Sequence, residues 1–305
     1  MLILNAIFPV FMLLLLGSLL RKADITNDTF LKTSDKLVYY IFFPAMLFWK
    51  IGKAAPDIND SFSLCLAAIL AVLIVYTLSL LAIKLFRISS FQAGSFSQAC
   101  YRFNTYIGMA VVINTLGEPG IRYFGILIGF AIPIINVIAV STLIWHSGKK
   151  QSLWRHTTHL LKALISNPLI VGCVIGLIFS RSQLSFPVFI NNTLQLMTSV
   201  TMPLALISIG GSLTMQGLKN NLLVSFLASF LKIAALPVIG YFMFQAFDVT
   251  GIPFKAGMIF FTLPTSTAIY VLSAQLNSDT QMASAAIMLS TLLSIISLSV
   301  ILLIF

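Results

Sequence analysis

Long apolar runs dominate the chain, and short polar stretches separate them. A membrane-spanning helix needs about 20 mostly apolar residues, because each residue rises about 1.5 Å and the hydrocarbon layer is roughly 30 Å thick. Ten runs meet this requirement and leave little of the chain over. The predicted spans are 2–20, 34–52, 61–86, 91–117, 121–145, 163–180, 185–211, 218–246, 253–277 and 280–305.

The composition excludes several classes of protein. The chain has 305 residues, of which 59% are hydrophobic and 9% are charged, and its mean hydropathy is +1.02. These values predict an all-α polytopic membrane protein. Cys65, Cys100 and Cys173 fall inside apolar runs without paired spacing, which indicates neither disulfides nor a metal site. No cofactor is expected. The net charge of +10 comes from short loops, so nucleic-acid binding is not expected.

The basic residues are distributed unequally between the two sides of the predicted membrane. One side holds Arg21, Lys22, Lys32, Lys36, Lys84, Arg87, Lys149, Lys150, Arg155, Lys162 and Lys219, and the other holds Lys50, Lys53, Arg122, Arg181 and Lys255. Because cytoplasmic loops carry an excess of Lys and Arg, the first set is predicted to be cytoplasmic. Both termini of a multi-pass protein of the cell inner (plasma) membrane would then lie outside.

The two halves of the chain match at prolines and glycines. At an offset of 159 the matches are Pro9 and Pro168, Gly17 and Gly176, Pro44 and Pro203, and Gly52 and Gly211. Prolines set helix kinks and glycines allow close backbone contact, so such matches indicate a repeat. We predict two five-helix repeats, 1–145 and 163–305, joined by a basic cytoplasmic linker, 146–162. Five spans are an odd number, so the second repeat must cross the membrane inverted, as in many secondary transporters.

Spans 4 and 9 each contain an interruption at equivalent positions of the two repeats. In YRFNTYIG, Asn104 and Thr105 are typical of helix N-termini, and Gly108 permits a close crossing. In FFTLPTSTAIY, Pro264 removes a helix hydrogen bond, and the hydroxyl residues after it can cap the next half-helix. Broken helices at matched positions often surround the solute of a transporter. Kinks retained only for packing would give the same pattern.

Arg102 lies beside the first interruption. An arginine at mid-membrane costs about 3 kcal/mol on insertion scales and usually faces a partner or a watery cavity. The eight acidic residues all map to loops or span ends, so an anionic solute is the favoured partner. Snorkelling of the side chain, or bonds to carbonyls freed by the interruption, are the alternatives. Lys232 in span 8 gives weaker evidence, since its long stem could reach an interface.

The same lack of mid-membrane acids argues against a carboxylate-based antiporter. An anion that leaves a negative interior gains about 2.3 kcal/mol per charge per 100 mV, which predicts electrogenic efflux. Asn136 could line the cavity or bond a neighbouring helix, and Tyr106 could contact solute or pack. The predicted solute-binding residues are Arg102, Asn104, Thr105, Tyr106, Asn136, Pro264, Thr265, Ser266 and Thr267, and the residues predicted to form breaks or close packing are Gly108, Pro44 and Pro203.

These features resemble the auxin efflux carrier family, whose bacterial members are often called malate or malonate permeases. The ten spans, NTYIGM at 104–109, Pro264 and the basic central loop carry the resemblance, and RFNTYIG at 102–108 is its most specific part. One glycine of the family pattern is missing there. The first break also has no proline, and the long central loop of plant carriers is absent.

The resemblance implies a fold like that of bile acid and auxin transporters. Spans 1, 2, 6 and 7 would form a scaffold domain, and spans 3–5 and 8–10 a transport domain whose crossing helices 4 and 9 hold the solute. An elevator-like movement would carry a small mono- or dicarboxylate, and the family implies a homodimer. Auxin itself is a poor candidate as the solute.

Three other functions fit the sequence to different degrees. A sodium- or proton-coupled symporter of bile-acid-transporter type shares the inverted repeat, because Asn, Thr and carbonyl oxygens alone can hold sodium. An intramembrane enzyme is not expected, since the chain has no HExxH, GxSxG or paired aspartates. A receptor or purely structural protein stays open.

Overall fold

The computed structural model describes residues 2–53, 58–146, 167–182, 184–213 and 221–305. The predicted linker 146–162 lies outside these residues except for His146. The described chain contains helices and no strand. In chain order the α-helices are α1 (Leu2–Lys22), α2 (Asp28–Leu37), α3 (Phe43–Gly52), α4 (Ile58–Leu85), α5 (Ser90–Tyr101), α6 (Thr105–His146), α7 (Pro168–Arg181), α8 (Val188–Ser212), α9 (Leu222–Phe230), α10 (Leu236–Ala246), α11 (Gly251–Thr262), α12 (Ala268–Gln275) and α13 (Thr280–Ile304).

Five stretches of the described chain are long and apolar enough to cross a membrane: Ser61–Leu85, Ser90–His146, Val188–Ser212, Leu222–Ala246 and Thr280–Ile304. The second has 57 residues. At about 1.5 Å per residue this length far exceeds the roughly 30 Å of the hydrocarbon layer, so the chain must turn within it. Gly117 provides the turn, because its φ of +60° interrupts α6. The all-helical membrane architecture predicted from the sequence is thus present.

A short π-helical segment precedes a proline in two places. Val38–Phe42 joins α2 to α3 just before Pro44, and Leu231–Ala235 joins α9 to α10 just before Pro237. A proline inside a helix removes one hydrogen bond and clashes with the carbonyl four residues earlier. The wider π turn accommodates this clash while the helix continues. Pro203 differs, since α8 runs through it as an α-helix.

Glycines bring the first helices of the chain close to α7 and α8. A Cβ on Gly17 of α1 would lie 2.1 Å from the carbonyl oxygen of Ile207, and one on Gly210 of α8 would lie 1.9 Å from that of Leu14. A Cβ on Gly172 of α7 would lie 2.7 Å from the carbonyl oxygen of Pro44. Small residues at such crossings allow backbones to touch, which is a main source of helix association in membranes. The prediction of close packing at Pro44 agrees with this geometry.

The other long helices form a second cluster around α5 and α11. Helix α11 packs against α6 and α10, and α13 packs against α5 and α9. Large side chains with no exposure fill the space between them, among them Phe96, Phe124, Phe244 and Phe260. Both interrupted helices therefore lie in the interior of the molecule, where irregular backbone can find partners away from lipid.

Candidate functional site at two crossing helix breaks

The first break separates α5 from α6 at residues 102–104. Arg102 is extended, with φ −69° and ψ 142°. The side-chain Oδ1 of Asn104 accepts hydrogen bonds from the backbone N–H groups of Tyr106 (3.1 Å) and Ile107 (3.2 Å). These two donors have no partner within a new helix, so Asn104 is an N-cap, as the sequence predicted.

The second break separates α11 from α12 at residues 263–267. Leu263 is extended, with φ −63° and ψ 147°, because the following Pro264 disfavours helical geometry at this residue. The Ser266 hydroxyl oxygen accepts a bond of 3.3 Å from the backbone N–H of Ala268, at the start of α12. Thr267 makes no side-chain cap. One of the predicted hydroxyls thus caps this half-helix.

The two breaks bond directly to each other. The backbone N–H of Asn104 donates to the carbonyl oxygen of Pro264 at 2.9 Å, and the Thr265 hydroxyl donates to the carbonyl oxygen of Ala99 at 2.9 Å. A Cβ on Gly108 would lie 2.5 Å from Leu263 Cδ1 and from Phe124 Cζ, so the absence of a side chain at Gly108 leaves room for both. The extended segments of the two breaks cross and contact each other, and helices α6 and α12 both begin at this crossing. Each helix N-terminus carries a partial positive charge of up to about half a unit.

Buried hydroxyl and amide groups hold the helices around the crossing. Ser95 of α5 bonds the hydroxyls of Ser273 (2.8 Å) and Ser278 (2.9 Å). Gln98 donates from Nε2 to Ser273 at 3.0 Å, and the backbone N–H of Thr265 donates to the Ser290 hydroxyl of α13 at 3.0 Å. These bonds join parts of the chain that lie far apart in sequence, and they fix the relative positions of the half-helices.

Arg102 brings a permanent charge to the crossing. Its Nε and Nη1 atoms are buried, and neither has a hydrogen-bond partner in the described part of the chain. The side chain is only partly buried as a whole, so some of the guanidinium remains accessible. The two buried atoms make no bonds to carbonyls freed by the break. A buried donor without a partner costs about 1–3 kcal/mol, and more when it is charged, so an anionic ligand would relieve a real penalty.

Aromatic side chains from the second span face the first break. Tyr106 packs edge-on against Phe43 of α3, with ring centroids 5.1 Å apart. Tyr39, in the π segment before α3, lies within electrostatic range of Arg102. Asp35 of α2 lies within electrostatic range of Tyr106 and accepts a bond of 2.6 Å from the Ser208 hydroxyl. No feature of the sequence predicted that this span would face the break.

The predicted site residues divide by exposure. Asn104 is 2% exposed and Thr265 is fully buried, and both are used in bonds that hold the crossing. Pro264 and Gly108 are also buried. The partly exposed group consists of Arg102, Thr105, Tyr106, Ser266 and Thr267. Asn136 is half-buried in α6 beyond Gly117, and its part in the site stays a prediction.

Lys232 proves more informative than the sequence indicated. Its side chain does not reach an interface, because the residue has no exposed surface and its Nζ donates to the carbonyl oxygen of Phe261 at 2.9 Å. Phe261 is in the last turn of α11, next to the second break. The sequence signal for this contact was a lysine within an apolar span. Because a lysine side chain is long, the sequence did not predict where its amino group points.

Comparison with known proteins decides the class. A family model described as "Membrane transport protein" matches residues 2–302. The chain belongs to this family. The family predicted from the resemblance to auxin efflux carriers is thereby confirmed, and a transporter rather than an enzyme is shown.

Two archaeal relatives are similar to the chain over nearly its whole length. An uncharacterized transporter of Methanocaldococcus jannaschii is 23% identical over 298 residues, which cover 96% of this chain and 95% of the relative. An uncharacterized transporter of Methanothermobacter thermautotrophicus is 22% identical over 301 residues, with the same two coverages. The membrane transporter class therefore applies to the complete helical assembly.

Proposed function

We propose that this membrane transport protein is a secondary carrier of a small organic anion, a mono- or dicarboxylate. The observation that carries the proposal is the guanidinium of Arg102, which has two buried, unpartnered donor atoms beside two crossing helix breaks. A guanidinium can hold a carboxylate through two parallel hydrogen bonds. The N-termini of α6 and α12 add positive potential at the same place. Arg102, Thr105, Tyr106, Ser266 and Thr267 are the accessible ligands of the proposed site, and Asn136 is a further candidate.

The proposed architecture is ten spans in two inverted five-helix repeats. Glycine contacts support this architecture. Helix α1 contacts α8 at Gly17, and helix α7 contacts α3 at Gly176. These two glycines are matched between the halves, and each allows contact with a helix of the opposite half. A two-fold relation between 1–145 and 163–305 produces such a pairing. We assign these four helices, with α2, to a scaffold domain.

The proposed transport domain contains α4–α6 and α9–α13, which surround the crossing. Alternating access would move this domain past the scaffold in an elevator-like way, with Arg102 and Tyr106 facing α3 during the movement. The positive-inside rule places both termini outside a plasma membrane, and the family resemblance favours a homodimer. Export of an anion would be electrogenic and driven by the membrane potential.

A thermal-shift screen of the purified protein against organic anions identifies the ligand class, because a ligand stabilises by RT ln(1 + [L]/Kd). The screen includes acetate, malonate, malate and indole-3-acetate. Hits are then tested for flux in liposomes with an imposed potential. We expect flux to rise when the potential favours anion exit, in sodium-free buffer as well. A flux that requires sodium would instead support the coupled symporter.

Arg102→Gln tests the ligand. It retains hydrogen-bond donors but removes the charge, and we expect the anion-dependent stabilisation to disappear. Arg181→Gln is the matched control, since Arg181 is an exposed arginine at the end of α7. Equal anion affinity in wild type and Arg102→Gln would contradict the proposal and favour a receptor or structural role for the break.

A further inference from the structure

Lys232 places an amino group in the interior of the molecule, within the π-helical segment that joins α9 to α10. It follows Asn221, the N-cap of α9, by 11 positions, so it lies about 16 Å along the helix, roughly half the thickness of the hydrocarbon layer. No acidic side chain pairs with it in the described chain, where the two ion pairs are Arg21–Asp28 and Lys50–Glu118. Its bonding partner is a backbone carbonyl, that of Phe261.

The break itself creates the need for this donor. In a continuous helix the carbonyl of Phe261 would accept from the N–H of Thr265, and that of Thr262 from Ser266. The Thr265 N–H instead donates to Ser290, at 3.0 Å. Lys232 takes over the carbonyl of Phe261, and the Ser297 hydroxyl takes over that of Thr262 at 3.1 Å. Carbonyls at a helix C-terminus carry partial negative charge, which favours a cation.

The first break is completed differently. At the end of α5 the carbonyl of Gln98 accepts from the N–H of Arg102 at 3.0 Å, and that of Ala99 accepts from the Thr265 hydroxyl. No amino group is involved in these bonds. FQAG at 91–94 and FKAG at 254–257 align at an offset of 163, and at this offset Lys232 corresponds to Ile69. The buried amino group is therefore a property of the second repeat and not of the common helix pattern.

Freed carbonyls at the C-terminal end of a half-helix are the groups that coordinate a coupling cation in many transporters. We infer that Lys232 is the resident cation of the second break. Its compact, three-donor head group occupies the position that a bound monovalent cation would otherwise take. Lys232 is thus a positioning residue: it acts through the carbonyl of Phe261 on the segment whose Pro264 and Thr265 bond the first break. The carrier needs no sodium at this place.

The inference rests on the proposed function only where it states that transport needs no sodium. Its test therefore measures thermal stability and not transport. Thermal unfolding of the detergent-purified chain is measured in NaCl and in choline chloride. Wild type should unfold at the same temperature in both. Lys232→Ala should unfold roughly 5 °C lower, because a buried carbonyl loses its donor. Methylammonium or sodium, which fit the space left by the side chain, should restore more than half of that loss, whereas tetraethylammonium should not.

Two variants separate this role from simple packing. Lys232→Met fills the space without a donor, so it should lose stability and show no recovery with methylammonium. Ser229→Ala is the matched control, a buried polar residue one turn earlier in α9 whose truncation should leave the protein insensitive to small cations. Recovery of Lys232→Ala by small cations alone supports the inference. Three results would overturn the inference. Lys232→Ala could be as stable as wild type, small cations could stabilise Lys232→Met as much as Lys232→Ala, or wild type could require sodium for its stability.

A second measurement applies if Lys232→Ala yields no protein. Lys232→Gln keeps a neutral donor, and amide hydrogen exchange is followed in 263–267 relative to wild type. Faster exchange in this segment supports the inference, and unchanged exchange overturns it. A failure of every anion to bind or move would count against the proposed function only, since none of these readouts depends on a transported solute.

Discussion

Replacement of Asn104 by alanine tests how the first break is held at mid-membrane. Asn104 Oδ1 accepts from two backbone N–H groups, at 3.1 and 3.2 Å, and the residue is only 2% exposed. Loss of an N-cap costs about 0.5–2 kcal/mol when water can replace it. Here the buried N–H of Ile107 and the part-buried N–H of Tyr106 lose their partner, and a fully buried donor without a partner costs about 1–3 kcal/mol. We expect the free energy of unfolding to fall by about 2–4 kcal/mol.

The assay is thermal unfolding in detergent, where this change corresponds to a decrease of roughly 5–10 °C. Asn192→Ala, at an exposed position of α8, is the control and should stay within about 0.5 kcal/mol of wild type. If Asn104→Ala unfolds at the same temperature as the wild-type protein, the side-chain cap does not hold the break and the reasoning fails.

Asn104→Asp separates the role of the helix cap from that of the proposed solute site. A carboxylate keeps the acceptor oxygens and is favoured at a helix N-terminus by about 0.3–1 kcal/mol, so stability should remain close to wild type. The new charge lies two residues from Arg102 and competes with an anionic solute for the guanidinium. We expect anion affinity to fall by about tenfold or more, which corresponds to about 1.4 kcal/mol. A large loss of stability, or unchanged affinity, would contradict this separation.

Four further substitutions test helix packing, one hydrogen bond and one ion pair, again by thermal unfolding. Gly210→Val should cost about 3 kcal/mol or more, because even its Cβ would lie 1.9 Å from a carbonyl oxygen of α1, whereas Gly129→Ala should cost little since its nearest neighbour is 3.4 Å away. Thr265→Val keeps the volume but removes the bond to α5, and a loss of about 1–2 kcal/mol is expected. Glu118→Gln should cost less than about 1 kcal/mol, since Glu118 pairs with Lys50 from a partly exposed position.

The sequence was informative where local chemistry decides the structure. Asn104, Pro264 and Gly108 have intrinsic effects on a helix, as a cap, a breaker and a site of close approach, and each is found in that role. Their matched positions in the two halves indicated that the breaks belong together. The geometry then adds the direct bonds between them, which no single-position rule describes.

Tertiary context decided what the sequence left open. The direction of the Lys232 head group depends on a free carbonyl in α11, 29 positions further along the chain. The approach of Tyr39 and Asp35 to the first break depends on how α2 and α3 pack against α6 and α8. The π turns before Pro44 and Pro237 arise because packing keeps those helices continuous, although proline alone would favour a kink.

Different helices provide the hydrogen bonds within the crossing and the contacts between the crossing and the proposed scaffold. Asn104, Thr265 and Lys232 bond within the set α5, α6, α9–α13, so the bonds that hold the two breaks together do not involve the proposed scaffold helices. Tyr106 packs against the proposed scaffold through an aromatic contact with Phe43. An elevator-like movement would keep these bonds, but it would have to break the bonds that cross between the two sets, among them the Lys50–Glu118 ion pair and the bond from the Cys173 thiol to the carbonyl oxygen of Gly125. Because a covalent link cannot break and re-form in this way, a link between the two sets should abolish transport while leaving the proposed anion site intact.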